Sequence, residues 1–334
     1  MKRAKKFAML MGVALMSTVA FATPNYASLV TFKNYTGNLG LSTDGFGSTG
    51  QVGVISASAP AGSTVLAAYL YSATFSSSPS LSGVTLNGLN VNFTSDAPNA
   101  TACCGLSSHR ADVTSIIAGV INGGGGGVYN FNVDEGVNGN VDGEALVVVY
   151  SNPALSVSTI GLLDGFASVT GDTTAITFAQ PLDPTAPGFV ADMILGIGFS
   201  CCTSQNSTVE VNGSLLTENA GNNDDGIGGL SNGQLITVGS FDDAYSPNLP
   251  GYLDDHEKYN LIPFLNKGDT SIVIDTFNTS GDDNIFLAAF QVTGEAKIGN
   301  PSPVPLPAGV WLLATGIAAL GFGAKRRGKA KVLA

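Results

Sequence analysis

The chain reads as an all-β protein made of tandem antiparallel β-sandwich units of a jelly-roll-like kind. Three observations predict that class. Short apolar runs are punctuated from end to end by clusters of Gly, Ser, Thr, Asn and Asp, with 43 glycines in the chain. The runs are rich in Val and Ile while helix formers such as Lys and Glu are scarce, and charged residues make up only 12% of the chain. The middle of the chain also repeats itself at long period, so one unit has to be explained twice.

In chain order, residues 1–22 are expected to be a signal peptide. Lys2, Arg3, Lys5 and Lys6 precede an apolar stretch from Phe7 that ends Ala20-Phe21-Ala22. A basic start, an apolar middle and an A-x-A site form the secretory pattern. Cleavage is expected after Ala22, with Ala27 as second choice; small residues at the site argue against an uncleaved helix.

The first sandwich unit is expected over residues 23–160. Its candidate strands are Val52–Ser56, Val65–Ser72, Val84–Leu86, Leu89–Phe93, Val128–Val133 and Ala145–Tyr150. Asn87-Gly88 between two of them is a strong hairpin signal, because both residues tolerate the positive φ of a tight turn. Tyr129 to Val133 alternates, as a half-buried strand does, while Ala145 to Tyr150 is apolar throughout and reads as buried on both faces.

The second unit is expected over residues 161–298, with strands at Ser156–Leu163, Ala175–Phe178, Met193–Phe199, Val209–Val211, Leu235–Ser240, Thr270–Phe277 and Ile285–Val292. Ala68 to Tyr71 leading to Val84-Thr85-Leu86-Asn87-Gly88 matches Ala191 to Leu195 leading to Val209-Glu210-Val211-Asn212-Gly213. Further on, His109 to Val113 matches His256 to Asn260, so the two histidines fall at matching points. A single large jelly-roll-like sandwich is the alternative.

Cys103-Cys104 and Cys201-Cys202 are an even set in an exported chain, which favours disulfides. Adjacent bridges strain the peptide between them. A cross-link between the two pairs would close a long loop, worth about 4–5 kcal/mol in the chain-entropy model. A thiolate metal site is the other option, and adjacent cysteines suit it poorly.

Calcium is the candidate cofactor. Asn138-Gly139-Asn140-Val141-Asp142-Gly143 has alternating oxygen donors and a sixth-position glycine, but Val149 stands where a twelfth-position Glu would. Asp282 and Asp283 occupy the matching loop of the second unit. Ordinary turns are the competing explanation for all of these residues.

Catalytic signatures fail on context. Gly45 to Gly50 fits G-x-G-x-x-G, but a strand rather than a helix follows it. Gly229-Leu230-Ser231-Asn232-Gly233 fits G-x-S-x-G without a strand–elbow–helix. Paired carboxylates for glycoside cleavage are abundant, at separations a sequence does not give. No enzyme is expected. Outside the two ends, the basic residues are Lys33, Arg110, Lys258, Lys267 and Lys297 against all 25 acidic ones, a formal charge of −20. Such a body repels nucleic acid.

The last segment, residues 299–334, has three parts. Prolines 301, 303, 305 and 307 forbid a helix. An apolar run over 309–324 can form a single transmembrane helix of roughly 25 Å. Lys325, Arg326, Arg327, Lys329 and Lys331 then stay cytoplasmic. That order, with Val304-Pro305-Leu306-Pro307-Ala308, resembles the sorting tail of PEP-CTERM proteins in its Val-Pro-x-Pro-Ala variant. The resemblance covers about a tenth of the chain. It implies a Gram-negative envelope protein processed by an exosortase-type membrane protease, linked to exopolysaccharide and biofilm matrix. A plain membrane anchor is the simpler alternative. The leading expectation is a non-enzymatic surface or matrix protein. A calcium-assisted carbohydrate-binding or adhesion module comes second and a secreted polysaccharide hydrolase third.

Overall fold

The computed structural model describes residues 28–47, 50–74, 81–98, 105–136, 141–198, 207–218, 236–246, 257–279 and 284–299. These form antiparallel strands with one short helix. The chain begins with a long strand, β1 (Leu29–Phe46), followed by β2 (Val52–Ala59) and β3 (Thr64–Thr74). A tight hairpin joins β4 (Thr85–Leu86) to β5 (Leu89–Asn90); β6 (Ser95–Pro98), β7 (Ser107–Asp112), helix α1 (Thr114–Ile121), β8 (Gly127–Asp134) and β9 (Val141–Ser151) complete the first half. The second half runs β10 (Val157–Gly165), β11 (Asp172–Phe178), β12 (Ala191–Gly198), β13 (Ser207–Val211), β14 (Ser214–Glu218), β15 (Thr237–Val238) and β16 (Lys258–Asn260). A 3-10 turn at Ile262–Phe264 precedes β17 (Ser271–Asn278), β18 (Asn284–Thr293) and β19 (Ala296–Gly299).

Strand β1 serves two sheets. Residues 29–38 pair with β10, from Leu29 opposite Gly165 to Asn38 opposite Val157. Residues 39–46 pair instead with β9, from Leu39 opposite Ser151 to Phe46 opposite Glu144. One inner sheet is therefore β1-β9-β3-β7-β6 and the other β1-β10-β18-β12 with β15 and β16 at its edge. An outer sheet β2-β8-β4-β5 belongs to the first half and β14-β13-β17-β11-β19 to the second.

Three apolar clusters fill the spaces between sheets. Tyr69, Tyr71, Ala145, Val147 and Val149 of one inner sheet meet Ile160, Leu162, Ile194, Phe286 and Ala289 of the other. Leu70, Leu146 and Val148 face Ile55, Phe131 and Val133 of the first outer sheet, joined by Ile117 and Ile121 of α1. Met193, Leu195 and Phe290 face Ile176, Val211 and Ile272 of the second. The strand period of two explains why Ala145 to Tyr150 of β9 is apolar throughout: Ala145, Val147 and Val149 feed the central cluster and Leu146, Val148 and Tyr150 the outer one.

Hydrogen bonds fix how the halves correspond. Asn87 and Asn212 are the non-glycine residues with positive φ among those described, both at φ 51, each followed by a glycine at φ 72 or 74. The Asn87 side-chain Oδ1 accepts the Asn132 N–H at 2.8 Å, and Asn212 Oδ1 accepts the Val273 N–H at 2.9 Å. Asp112 accepts the Thr114 N–H and Asn260 the Ile262 N–H, both at 2.9 Å. Val113 N–H donates to the Ala68 carbonyl and Leu261 N–H to that of Ala191. Ala68 thus matches Ala191, and Asp112 matches Asn260.

Two sequence expectations change. His109 matches Glu257, one residue past His256, which lies outside the described residues. The boundary expected at 160/161 falls inside β10, and residues 29–38 of β1 lie in the second half's inner sheet. The signal peptide, the 309–324 segment and residues 304–308 lie outside the described residues, within which no helix is long and apolar enough to cross a membrane.

Asn87→Ala and Asn212→Ala should each cost about 1–2 kcal/mol, from an alanine forced to positive φ and a lost hydrogen bond. Asn→Gly at either place should cost less, because glycine keeps the turn. Urea midpoints at unchanged slope measure both; an alanine variant as stable as the parent at either turn contradicts the matched roles.

Candidate functional site

One line across the first inner sheet is polar where its neighbours are apolar. His109 on β7 pairs with Ser72 on β3, Ser72 with Glu144 on β9, and Glu144 with Phe46 on β1. In an antiparallel sheet, directly paired residues share a face. These sit at the period-two positions that continue Ala68–Leu70 and Leu146–Val148, so they point between the inner and outer sheets. His109, Ser72 and Glu144 are each fully buried.

Each is held in place. The Thr74 hydroxyl and His109 Nε2 lie 2.9 Å apart, and the Phe93 ring meets the imidazole edge-on at 6.1 Å. Ser72 Oγ donates to the Gly143 carbonyl at 3.1 Å. Glu135 follows β8, where its N–H donates to the Gln51 carbonyl at 2.9 Å. Its side chain is 4% exposed and lies close enough to that of Glu144 for the two acids to affect each other's ionisation.

Burial pushes the Glu135 carboxyl up to about 7; the neighbouring Glu144 side chain opposes this and the nearby Asp134 charge adds to it. Glu144 is raised well above the ordinary carboxylate range, first by burial and then by the Glu135 charge. A buried carboxylate is costly unless a cation or donors meet it. Arg110 is the neighbouring base, but it lies on the other face of β7. There it stacks 3.4 Å over the Phe32 ring and pairs with Asp164 across the two inner sheets.

The second half provides an internal control. Leu195, Ile197, Glu257, Ala288 and Thr276 stand where the first half has Ser72, Thr74, His109, Glu144 and Glu135. Leu195 pairs with Ala288 and accepts no polar neighbour on that side, while Glu257 is bonded by the Thr237 hydroxyl at 2.6 Å. The fold therefore accommodates a largely apolar line at this level. The polar cluster belongs to the first half alone.

Three cavities lie elsewhere, in the second half. The most apolar, about 340 Å³, is walled by Phe178, Leu182 and Phe189. A second, about 570 Å³, adjoins it at Phe178 and Glu295. A polar one of about 560 Å³ lies by Asn212 and Asp269. The carboxyl pair lines none of them.

Of the residues singled out in the sequence, Cys103, Cys104, Cys201 and Cys202 lie outside the described residues, as do Asn138, Asn140, Asp282, Asp283 and Val304 to Ala308. Asp142 corrects an expectation. Residues 141–149 of the candidate calcium loop lie in strand β9 (Val141–Ser151) rather than in a loop, and residues 138–140 lie outside the described residues. Asp142 is the extra residue where the β3–β9 register shifts, fully buried near Gly198. Gly143 beside it has φ 153, and a side chain there would strike the Phe46 carbonyl. Among the described residues, no three His, Cys, Asp or Glu side chains are grouped to hold a metal. Glu135, Glu144, Ser72 and Thr74 escaped notice, although polar residues at Ser72 and Glu144 interrupt apolar faces and signal them.

No protein-family model, curated protein or solved structure matches the chain.

Copying the second half into the first tests the role of the cluster. Ser72→Leu with Glu144→Ala should retain the fold and stabilise it by about 1–3 kcal/mol at mildly alkaline pH, because a buried carboxyl leaves the core. Circular dichroism and thermal melts decide; loss of cooperative unfolding would show that the polar line is needed for folding.

Proposed function

We propose that this is an exported, non-enzymatic cell-surface or extracellular-matrix protein of a Gram-negative bacterium, processed at its C-terminus by an exosortase-type membrane protease. The observation that carries the reading is Val304-Pro305-Leu306-Pro307-Ala308 set between a proline-rich approach and an apolar run with a basic end, in a chain that starts with a secretory pattern. The body is a tandem of two β-sandwich units placed back to back through their inner sheets. The repeated Asn-Gly turns and the three apolar layers support that division, and such a body suits a durable part of an exopolysaccharide-rich matrix.

The cysteines fit the same reading. A side chain on Gly198, at the end of β12, would lie 2.8 Å from the Ala73 Cβ, and Ala73 is paired with Ser108. Gly198 is the last described residue before Cys201 and Ser107 opens β7 shortly after Cys104, and these two strand ends lie at one end of the inner sheets. A cross-link there would join the two units.

Intact-mass analysis of the mature protein should give an N-terminus at Thr23 and no residue beyond Ala308. Peptides from Lys325–Lys331 in the surface fraction would contradict processing. Pro305→Ala with Pro307→Ala should leave the protein in the inner membrane; normal export of that variant would reduce the tail to an anchor. Non-reducing peptide maps should link 103–104 to 201–202, and bridges confined within each pair would refute the cross-link.

A further inference from the structure

We propose that Asn87 is a site of spontaneous modification: of the described Asn-Gly pairs, its side-chain amide is the one lost first in the folded protein, at the tip of the β4–β5 hairpin. In this chemistry the Gly88 backbone nitrogen attacks the Asn87 side-chain carbonyl carbon. A new N–C bond closes a cyclic imide and the Cγ–Nδ2 bond breaks. The Gly88 N–H gives up its proton, and Nδ2 leaves as ammonia. Water then opens the imide at either carbonyl, giving aspartate or isoaspartate. Water is the only co-reactant. A following glycine favours the attack because it places no Cβ beside the nucleophile.

Among the described residues, Asn-Gly occurs at Asn87-Gly88, Asn122-Gly123 and Asn212-Gly213. In each the asparagine Oδ1 accepts a backbone N–H: that of Asn132 at 2.8 Å, of Val65 at 2.8 Å and of Val273 at 2.9 Å. A carbonyl anchored in this way is not free to swing onto the next nitrogen. Reaction therefore waits for local opening, and the pair that opens most often reacts first.

Asn87 has the least to hold it. Strands β4 and β5 are two residues long, and among the described residues β5 is bonded to β4 alone, at the edge of its sheet. Asn87, Gly88, Leu89 and Asn90 are all exposed. The Asn212 turn instead joins strands of five residues, with Leu216 and Thr217 buried. Asn212 Nδ2, the atom that would leave, also donates to the Phe264 carbonyl at 3.0 Å. Asn122 ends α1, and its N–H donates to the Ala118 carbonyl at 3.0 Å. Freeing it loosens a helix whose Ile117 and Ile121 are buried in the first outer cluster.

The two products act differently on the turn. Aspartate keeps a side-chain oxygen for the Asn132 N–H. Isoaspartate routes the main chain through Cβ and Cγ, which adds a backbone atom and takes that same carbonyl into the chain, so the tight turn no longer fits. Val84 and Leu86, fully buried beside the hairpin, then lose the turn that seats them. The change is irreversible and falls on the edge of the first outer sheet. It is independent of how the protein is exported or processed.

The test is peptide mapping by mass spectrometry of the full chain, held at mildly alkaline pH in buffer and in concentrated urea, with isoaspartate separated from aspartate. In buffer, Asn87 should convert at least about fivefold faster than Asn212 or Asn122, the factor that one further net hydrogen bond supplies in keeping a turn closed. In urea the three rates should converge, because the same Asn-Gly chemistry then runs without the fold. Equal rates at Asn87 and Asn212 in buffer overturn the proposal, as does an Asn87 that stays intact while either of the others converts. A gap that persists in urea also overturns it, since the difference would then lie in the neighbouring sequence and not in the hairpin.

Discussion

The structure depends on one strand having two partners. Residues 29–38 of β1 complete one inner sheet and residues 39–46 complete the other. Neither inner sheet can leave the other without pulling β1 from a ladder of backbone hydrogen bonds. The change of partner falls at Asn38 and Leu39, where the Asn38 carbonyl accepts the Asn152 N–H at 2.9 Å and the Leu39 side chain enters the central apolar cluster. The later half of β1 also seals an edge. Ser42 Oγ accepts the Ser58 N–H at 2.9 Å and Asp44 accepts that of Ser56, so side chains satisfy the open side of β2. An edge strand covered in this way offers no template for another chain. Asp44 also accepts the Ser240 hydroxyl, and Thr43 donates to the Gly239 carbonyl at 2.6 Å, tying the same strand to the second half.

Between the inner sheets, apolar burial outweighs the polar contacts. The Arg110 guanidinium over Phe32 and its pairing with Asp164 are partly exposed, and a cation–π contact of that kind contributes about 0.5–2 kcal/mol. The Tyr35 and Tyr69 hydroxyls, 2.8 Å apart, and the Phe32–Tyr69 edge contact add orientation. Against these stand some eighteen buried apolar side chains in the central cluster, each large one worth about 1.5–3 kcal/mol on burial. The polar groups set register; the apolar layer supplies most of the adhesion.

Much of this was legible in the sequence. Asn87-Gly88 marks its hairpin because the turn needs positive φ, and the unbroken Ala145–Tyr150 run reflects a strand with two apolar faces. β1 was missed because Gly37, Gly40 and Gly45 mimic turn punctuation, and because its buried face changes where its partner changes. Helix α1 leaves little trace in the sequence, because two buried residues four apart, Ile117 and Ile121, are too few to set a helical period. The histidine match slipped by one residue because identity was compared where the side-chain-to-backbone turns at Asp112 and Asn260 set the alignment. In the site, Ser72 and Glu144 were visible as polar interruptions of apolar faces. Glu135 was not, since an acid after a strand looks like any other turn residue. Asp142 misled because alternating oxygen donors also occur where a strand begins with a bulge.

The matched turns let one half serve as the measure of the other. The fold asks for apolar layers, two Asn-Gly turns and a strand shared across the seam, and both halves meet those demands; the acid pair is found in one. Scanning calorimetry of the full chain tests the shared strand most directly. Joint ownership of β1 and of the central cluster predicts a single transition whose calorimetric and van't Hoff enthalpies agree. Two separable transitions, one for each half, would contradict it.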